Sequence, residues 1–281
     1  MSIFSRENTS MAAKWWRNVD KQILFLFLFL FLLGLFFSFS STSLIVAEKM
    51  NKQTYFFFIK HLIFVSISMC LLVLISIQEK KKILKTLTPL FFLSILILCL
   101  VPVIGVEVKG SQRWIDLPFL PRFQPIELVK PLFILFAAKI LVNNNKFNIY
   151  GRYLLSFFIL LIIIVLLVNQ PDFGQTLLLI AVWTTMVFAS GFSMIFLIIL
   201  GVLTLSSIML LIYFFPEKFG YIFYRIQTFV SPRSGDNFQS QKALDAIKQG
   251  GLTGQGMGEG VLKDKVPEAH TDYIIAVISE E

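Results

Sequence analysis

Apolar runs of bilayer-spanning length dominate the chain, and short polar segments separate them. A helix needs about 20 apolar residues, at about 1.5 Å each, to cross a hydrocarbon core of about 30 Å. The pattern predicts seven complete spans and the start of an eighth. In order, they are Ile23–Ala47, Tyr55–Ile77, Leu87–Ile104, Glu127–Val142, Tyr153–Val168, Gln175–Ala189, Phe192–Phe215 and a final run that begins at Tyr273. The predicted fold is an all-α polytopic membrane protein with a helical bundle.

The spacing of these runs divides the chain into four parts. They are an N-terminal segment (1–22), a seven-span bundle (23–215), a large extracytoplasmic loop (216–272) and the beginning of the eighth span (273–281). The first run is longer than the roughly 7–15 residues of a signal-peptide core, so we expect an uncleaved first span.

Basic residues set the expected orientation. Four of them precede the first span, and Lys80, Lys81, Lys82 and Lys85 fill the second short loop on the same side. The positive-inside bias therefore places the N-terminus in the cytoplasm. The polar segments 106–126, 169–174 and 216–271 then share the outer face.

The fourth run is physically unusual because its apolar part, from Pro131 to Val142, is too short to span. To cross the membrane, the helix must begin near Pro125, a residue suited to a first helical position. That start draws Glu127 and Lys130 to membrane depth, where their i, i+3 spacing allows an ion pair. The pair is either a set of interfacial anchors or the polar wall of a substrate groove.

The composition supports a membrane protein and argues against nucleic acid as a binding partner. Hydrophobic residues make up 56% of the chain and charged residues 15%, which a soluble domain of 281 residues could not bury. The net charge of +8 comes largely from loop bases of the positive-inside kind, and no basic–aromatic pattern points to nucleic acid. Cys70 and Cys99 fall inside apolar runs, so we predict small core residues rather than a disulfide.

Two polar segments on the predicted outer face each allow a structural and a functional interpretation. Arg113 and Trp114 are either an aromatic-belt anchor or a site where Arg113 binds an anionic headgroup and Trp114 packs on sugar or isoprenoid. Asp172, in the turn Asn169–Gly174, is suited to cap the following helix.

The long loop also carries local signals. Asp236 and Gln239 have capping-box spacing, which predicts a short helix with Phe238, Leu244 and Ile247 on its apolar face and an end at Gly250-Gly251. The glycines from 254 to 260 precede Lys263 and Lys265, a combination that can present N–H groups and positive charge to a phosphate.

Asp272 lies where this polar loop gives way to the last apolar run. It is either an acidic residue in the first turn of a helix, favoured by the helix dipole, or a functional acid at the membrane boundary.

Five ordered motifs together resemble the SEDS family (FtsW, RodA and SpoVE) of bacterial cell-wall polymerases, and the division branch, FtsW, most of all. They are Gly110-Ser111-Gln112-Arg113-Trp114-Ile115, Gln124-Pro125-Ile126-Glu127-Leu128-Val129-Lys130, Gln170-Pro171-Asp172-Phe173-Gly174, Gly250-Gly251-Leu252-Thr253-Gly254-Gln255-Gly256 and Pro267-Glu268-Ala269-His270-Thr271-Asp272-Tyr273. Ile126 stands where the family usually has Ser. The family has ten spans, so this chain is expected to be a C-terminally truncated sequence.

The resemblance implies a glycosyltransferase that polymerises lipid II into glycan strands during septal wall synthesis, with inversion at the anomeric carbon. Asp272 matches the essential acid of the family and is the expected general base. The expected substrate-binding residues are Arg113, Trp114, Glu127, Lys130, Lys263, Lys265, Glu268 and His270. No cofactor or metal ligand set is evident, although a divalent cation at the pyrophosphate stays open.

The same resemblance implies a location and partners. It places the chain in the bacterial inner membrane at the division septum, with a class B penicillin-binding transpeptidase and other division proteins. Two other functions stay open: a lipid II flippase using polar groups such as Lys60 within the membrane, and a non-catalytic division scaffold.

Overall fold

A computed structural model describes residues 10–41, 55–108, 111–116, 122–142, 148–217, 220, 238–251, 253–256, 259–262, 265–266 and 273–281. They form two compact units. The central unit comprises residues 79–211, and the terminal unit comprises the described residues within 1–78 and 212–281.

Helices make up nearly all of the described structure. In chain order they are α1 (Met11–Asn18), α2 (Lys21–Ser41), α3 (Phe56–Ser76), α4 (Lys80–Ile104), α5 (Ile126–Val142), α6 (Ile149–Asn169), α7 (Phe173–Ala189), α8 (Met194–Phe214), α9 (Phe238–Gly250) and α10 (Ile274–Glu280). Two short strands, β1 (Val106–Val108) and β2 (Ser111–Trp114), pair antiparallel between α4 and α5, with Val106 opposite Trp114. The hairpin lies within the polar segment 106–126, for which the sequence pattern predicts no strand.

The predicted spans are confirmed as helices α2 to α8. Five of these, α2, α3, α4, α6 and α8, are long and apolar enough to cross a membrane by length and composition. The other two, α5 and α7, have 17 residues each, at the short end of the range of roughly 17–25 for spanning helices. The predicted start of the fourth span is also confirmed, because α5 begins directly after Pro125 and includes both Glu127 and Lys130.

One predicted boundary was wrong. Residues 80–86 were expected to be a loop, but α4 begins at Lys80 and contains all four lysines of this segment. Lysine is a good helix former, so a run of charges at the membrane edge continues the helix instead of ending it.

The core of the central unit consists of one buried face from each of its helices. Phe91, Phe133, Leu160 and Leu179 are each at most 1% exposed, whereas Leu90, Phe92, Leu161 and Leu178 on the same helices are 41–57% exposed. A polar contact lies within this core: the Trp183 indole donates to Ser156 Oγ over 3.2 Å. Burial without a partner would be costly for both groups, so the pair satisfies each of them in an apolar interior.

In the terminal unit, α9 packs against α10, but through a different face than predicted. Leu244 and Ile247 are 53% and 39% exposed, and the buried positions are Ala243 and Ala246. The small alanines permit close approach of the two helices: Gly250, at the end of α9, lies so near Ser279 that an added Cβ would overlap its carbonyl oxygen.

The prediction of buried cysteines was wrong as well. Cys70 on α3 and Cys99 on α4 are both exposed free thiols. A uniformly apolar helix gives no periodic signal for which side faces its neighbours, so burial of a small residue on it cannot be read from sequence.

Two adjacent leucines test this assignment of faces. Leu160 is 1% exposed and Leu161 is 41% exposed on the same helix α6. We expect Leu160→Ala to lower the free energy of unfolding by about 2 kcal/mol, mainly through the cavity it leaves, and Leu161→Ala to lower it by much less. Thermal unfolding of the purified protein in detergent measures both, and equal losses would contradict the packing described.

Candidate functional site at one end of the central unit

Three of the polar motifs meet at one end of the central unit. The end of α4, the β1–β2 hairpin, the start of α5 and the turn between α6 and α7 are neighbours because successive helices run in opposite directions. The motifs containing Arg113, Glu127 and Asp172, separated by up to about 60 positions in sequence, therefore form one polar network.

Arg113 on β2 binds the turn between α6 and α7. Its Nε donates to the carbonyl oxygen of Gln170 over 3.1 Å, and Nη2 donates to the carbonyl oxygen of Pro171. Its Nη1 lies 3.7 Å from Asp172 Oδ1. The planar guanidinium can make these contacts together because its donors form a fixed fork. We call this set of contacts the Arg113 clasp.

Asp172 is only 6% exposed, and its polar atoms are all engaged. Its Oδ2 accepts from Gln124 Nε2 over 3.0 Å, and Oδ1 accepts from the backbone N–H of Gln175 over 3.5 Å. Its backbone oxygen accepts from Thr176 Oγ1 over 2.8 Å. The predicted helix cap is confirmed, and the same carboxylate also joins the Gln124 motif to the Arg113 motif.

Glu127 and Lys130 form the predicted ion pair on the first turns of α5. Lys130 Nζ lies 2.8 Å from Glu127 Oε1 and 2.7 Å from Oε2. Gln175 on α7 also donates to Glu127 Oε1, over 3.3 Å. The Glu127 side chain is 53% exposed and that of Lys130 19% exposed, so the carboxylate is the accessible group of the pair.

Gln175 Oε1 is buried and has no hydrogen-bond partner among the described residues. A buried acceptor without a partner is unusual in a folded protein. The groups that a ligand could contact are its neighbours. The Glu127 carboxylate could accept from sugar hydroxyls or amide N–H groups, and the Lys130 ammonium group could bind a phosphate.

The predicted site residues are distributed over three regions of the chain. Arg113, Glu127 and Lys130 are in the network just described, and Trp114 is half-buried in the adjoining strand β2. Lys265 is exposed in the terminal unit. Asp272, Lys263, Glu268 and His270 lie outside the described residues, so their roles stay predictions.

In the structure, Arg113 holds the turn between α6 and α7 in place, a role that the sequence had not indicated. All three of its nitrogen groups face the 170–172 turn. The binding of pyrophosphate by Arg113 stays a prediction.

Sequence reasoning also assigned no part in the site to the glutamines Gln124, Gln170 and Gln175. The signal that could have found two of them is a shared dipeptide, because Gln124 and Gln170 each precede a proline at the edge of a span. Gln170 is 3% exposed and donates to the carbonyl oxygen of Leu98 over 3.4 Å, which ties the turn to α4.

A comparison of two Arg–Asp pairs tests the Arg113 clasp. We expect Arg113→Ala to lower the free energy of unfolding by about 3 kcal/mol, because it leaves the buried Asp172 carboxylate without its cation. Arg113→Lys should restore little, since an ammonium group cannot make the forked contacts. Thermal unfolding in detergent provides the measurement.

The exposed pair of Arg122 and Asp116, 2.7 Å apart, is the matched control. Their side chains are 56% and 41% exposed, so Arg122→Ala should change the unfolding free energy by less than about 1 kcal/mol. Similar small effects of both substitutions would mean that the clasp contributes nothing to stability.

Curated sequences similar to this chain are bacterial proteins described as probable peptidoglycan glycosyltransferase FtsW. The relative from Caulobacter vibrioides is 28% identical over 278 residues, covering 99% of this chain and 70% of the relative. Those from Coxiella burnetii and Trichlorobacter lovleyi are 33% and 37% identical, covering 86% and 69% of this chain. The chain spans 66% and 51% of the length of these two.

Solved structures show a similar fold. The rod shape determining protein RodA of Thermus thermophilus matches with a TM-score of 0.56 and 26% identity, over 68% of this chain and 60% of RodA. A chain from a structure that describes coordination of polymerization and crosslinking by a peptidoglycan synthase complex matches with a TM-score of 0.68 and 22% identity. That match covers 94% of this chain and 71% of the other.

The sequence profile of the FtsW, RodA and SpoVE cell cycle proteins matches residues 21–281, which is nearly the whole chain. The chain therefore belongs to the FtsW/RodA/SpoVE family of cell cycle proteins.

Proposed function

We propose that the full-length protein polymerises lipid II, an undecaprenyl-pyrophosphate disaccharide-pentapeptide, into glycan strands during septal wall synthesis. The main support is the polar network at one end of an apolar helical unit, where Glu127 and Lys130 lie beside the Arg113 clasp. Relatives described as probable peptidoglycan glycosyltransferases add the reaction class. Such a surface suits a substrate with a polar head and a lipid tail, because the head needs polar partners and the tail needs apolar surroundings.

The proposed reaction joins two disaccharides at the outer membrane surface. The 4-hydroxyl oxygen of the acceptor attacks the anomeric carbon of the donor, and the bond from that carbon to the pyrophosphate oxygen breaks. Asp272 takes the hydroxyl proton as general base, and the pyrophosphate leaves with the bonding electrons. Attack opposite the leaving group inverts the anomeric carbon.

Cations near the leaving group would stabilise the developing negative charge. The candidates are Arg113, Lys263 and Lys265, and Glu127 with Lys130 would line the substrate groove. Glu268 and His270 belong to the same proposal as ligands of the sugar or pyrophosphate, as does Trp114 as an aromatic surface for sugar or isoprenoid. A divalent cation could also stabilise the pyrophosphate, and the requirement for it is tested with Mg²⁺ and EDTA.

The proposal includes a place and partners in the cell. Family membership and the long apolar helices support a multi-pass membrane protein. We place the N-terminus in the cytoplasm and the protein in the inner membrane at the septum, next to a class B transpeptidase that crosslinks the product. The structural similarity to a chain from a peptidoglycan synthase complex is consistent with such a partner.

A polymerisation assay with the full-length protein and purified lipid II tests the function. We expect wild-type protein to produce glycan polymer and Asp272→Ala to reduce the rate at least about 100-fold, within the range for loss of a general base. Glu259→Ala is the control, because Glu259 is an exposed carboxylate in the same loop. Parallel reactions with Mg²⁺ and with EDTA determine whether a divalent cation is required.

The same samples separate the alternative functions. Lipid II translocation across vesicles without polymer would identify a flippase and overturn the proposal. Absence of both activities in folded wild-type protein would favour a division scaffold. Unchanged polymer with Asp272→Ala would exclude the proposed base but not the polymerase.

A charge exchange distinguishes the two interpretations of the Glu127–Lys130 pair. The double variant Glu127→Lys/Lys130→Glu keeps an i, i+3 ion pair, so interfacial anchoring should persist. If these groups bind substrate, exchanging the exposed carboxylate for an ammonium group should lower kcat/KM for lipid II about tenfold or more. A folded double variant with wild-type kcat/KM would assign the pair to anchoring alone.

A further inference from the structure

Glu280, the last residue of α10, is a charged side chain in an unusual position. It is 0% exposed, and it belongs to none of the predicted sites. Its Oε1 accepts the backbone N–H of Leu262 over 2.6 Å. Burial of a carboxyl group is energetically unfavourable unless the group makes such hydrogen bonds. A buried glutamate that bonds to the backbone of another segment is therefore a candidate for holding that segment in place.

The surrounding backbone is built to receive this carboxyl group. Gly260 lies so close that an added Cβ would be 3.0 Å from Glu280 Cδ. Any larger residue at position 260 would therefore push against the Glu280 side chain. Glu280 Oε2 has no hydrogen-bond partner among the described residues.

Two backbone hydrogen bonds attach the preceding part of the same loop to the end of α10. The N–H of Gln255 donates to the Glu280 carbonyl over 2.8 Å, and that of Gly256 donates to the Glu281 carbonyl over 3.0 Å. Gly254 has a φ of +73° and lies against the Glu281 carbonyl, so an added Cβ at position 254 would overlap that carbonyl oxygen. These two N–H groups are engaged by carbonyls, so the predicted phosphate cradle does not include them.

Asp272 lies in the sequence between two described points of attachment. The Leu262 N–H bonds to Glu280, and α10 begins at Ile274. In general, a chain segment attached at both ends has fewer accessible conformations than one attached at a single end.

We infer that Glu280 is a positioning residue that fixes the loop before Asp272 through its hydrogen bond to the Leu262 N–H. This inference rests on the proposed polymerase function. Small displacements of reacting groups reduce rates strongly, up to about 100-fold for 1 Å. Removal of the Glu280 carboxyl group should therefore impair the proposed reaction.

Four substitutions in the full-length protein separate this positioning role from other roles of Glu280. Glu280→Ala removes the acceptor, whereas Glu280→Gln keeps the length of the side chain and an acceptor oxygen. Ser279→Ala is the matched control, because Ser279 Oγ bonds only to the Ile275 carbonyl of its own helix among the described contacts. Gly260→Ala perturbs the same carboxyl group from the loop side and serves if Glu280→Ala does not fold.

Amide hydrogen exchange of the peptide containing Leu262 provides a readout that does not depend on activity. We expect exchange to be about tenfold faster or more in Glu280→Ala, faster in Gly260→Ala, and within about threefold of wild type in Glu280→Gln and Ser279→Ala. Polymerisation of lipid II should follow the same order, with kcat reduced about tenfold or more in Glu280→Ala.

The two readouts together decide the inference. Unchanged exchange in Glu280→Ala, or faster exchange with unchanged kcat, would overturn it. A Glu280→Gln variant with wild-type exchange but the low kcat of Glu280→Ala would assign the effect to charge instead of position. If wild-type protein makes no polymer, the proposed function fails, and the inferred role for Glu280 in catalysis fails with it, while the exchange data still report whether the anchor exists.

Discussion

Burial of the Asp172 carboxylate is the constraint on which the central unit depends. An apolar helical bundle has few polar groups to offer an acid, yet Asp172 is only 6% exposed. Arg113, Gln124 and the start of α7 meet this requirement from three different segments. Because one carboxylate joins the hairpin, the start of α5 and the α6–α7 turn, its partners fix the end of the unit where the candidate site lies.

That arrangement separates groups that hold the structure from groups that face outwards. Arg113 directs its donors to the 170–172 turn, whereas Glu127, 53% exposed, extends from α5 with Lys130 beside it. In such a site, the Arg113–Asp172 contacts hold the backbone in place, and the Glu127–Lys130 pair supplies the accessible charges. The precise position of these charges matters because binding and catalysis depend on geometry more than on the number of charges.

In the terminal unit, a buried carboxyl group likewise fixes a neighbouring segment, here through a backbone N–H group. Gly250, Gly254 and Gly260 allow close approach to the end of α10, and the Glu280 carboxyl group accepts the Leu262 N–H just after them. The glycines from 254 to 260 had predicted a phosphate-binding loop. At Gly254 and Gly260 the structure shows another physical reason for glycine, which is the close packing of one chain segment on another.

The sequence by itself determined the seven apolar helices, the early start of α5, the Glu127–Lys130 pair and the Asp172 cap, because each follows from local spacing. It also determined the family, through five ordered motifs. Only the tertiary structure decided that Arg113 binds the 170–172 turn, that Ala243 and Ala246 form the buried face of α9, that Cys70 and Cys99 are exposed and that Glu280 anchors a glycine loop. These features depend on which faces and segments meet, and uniformly apolar helices carry no periodic signal that specifies their neighbours.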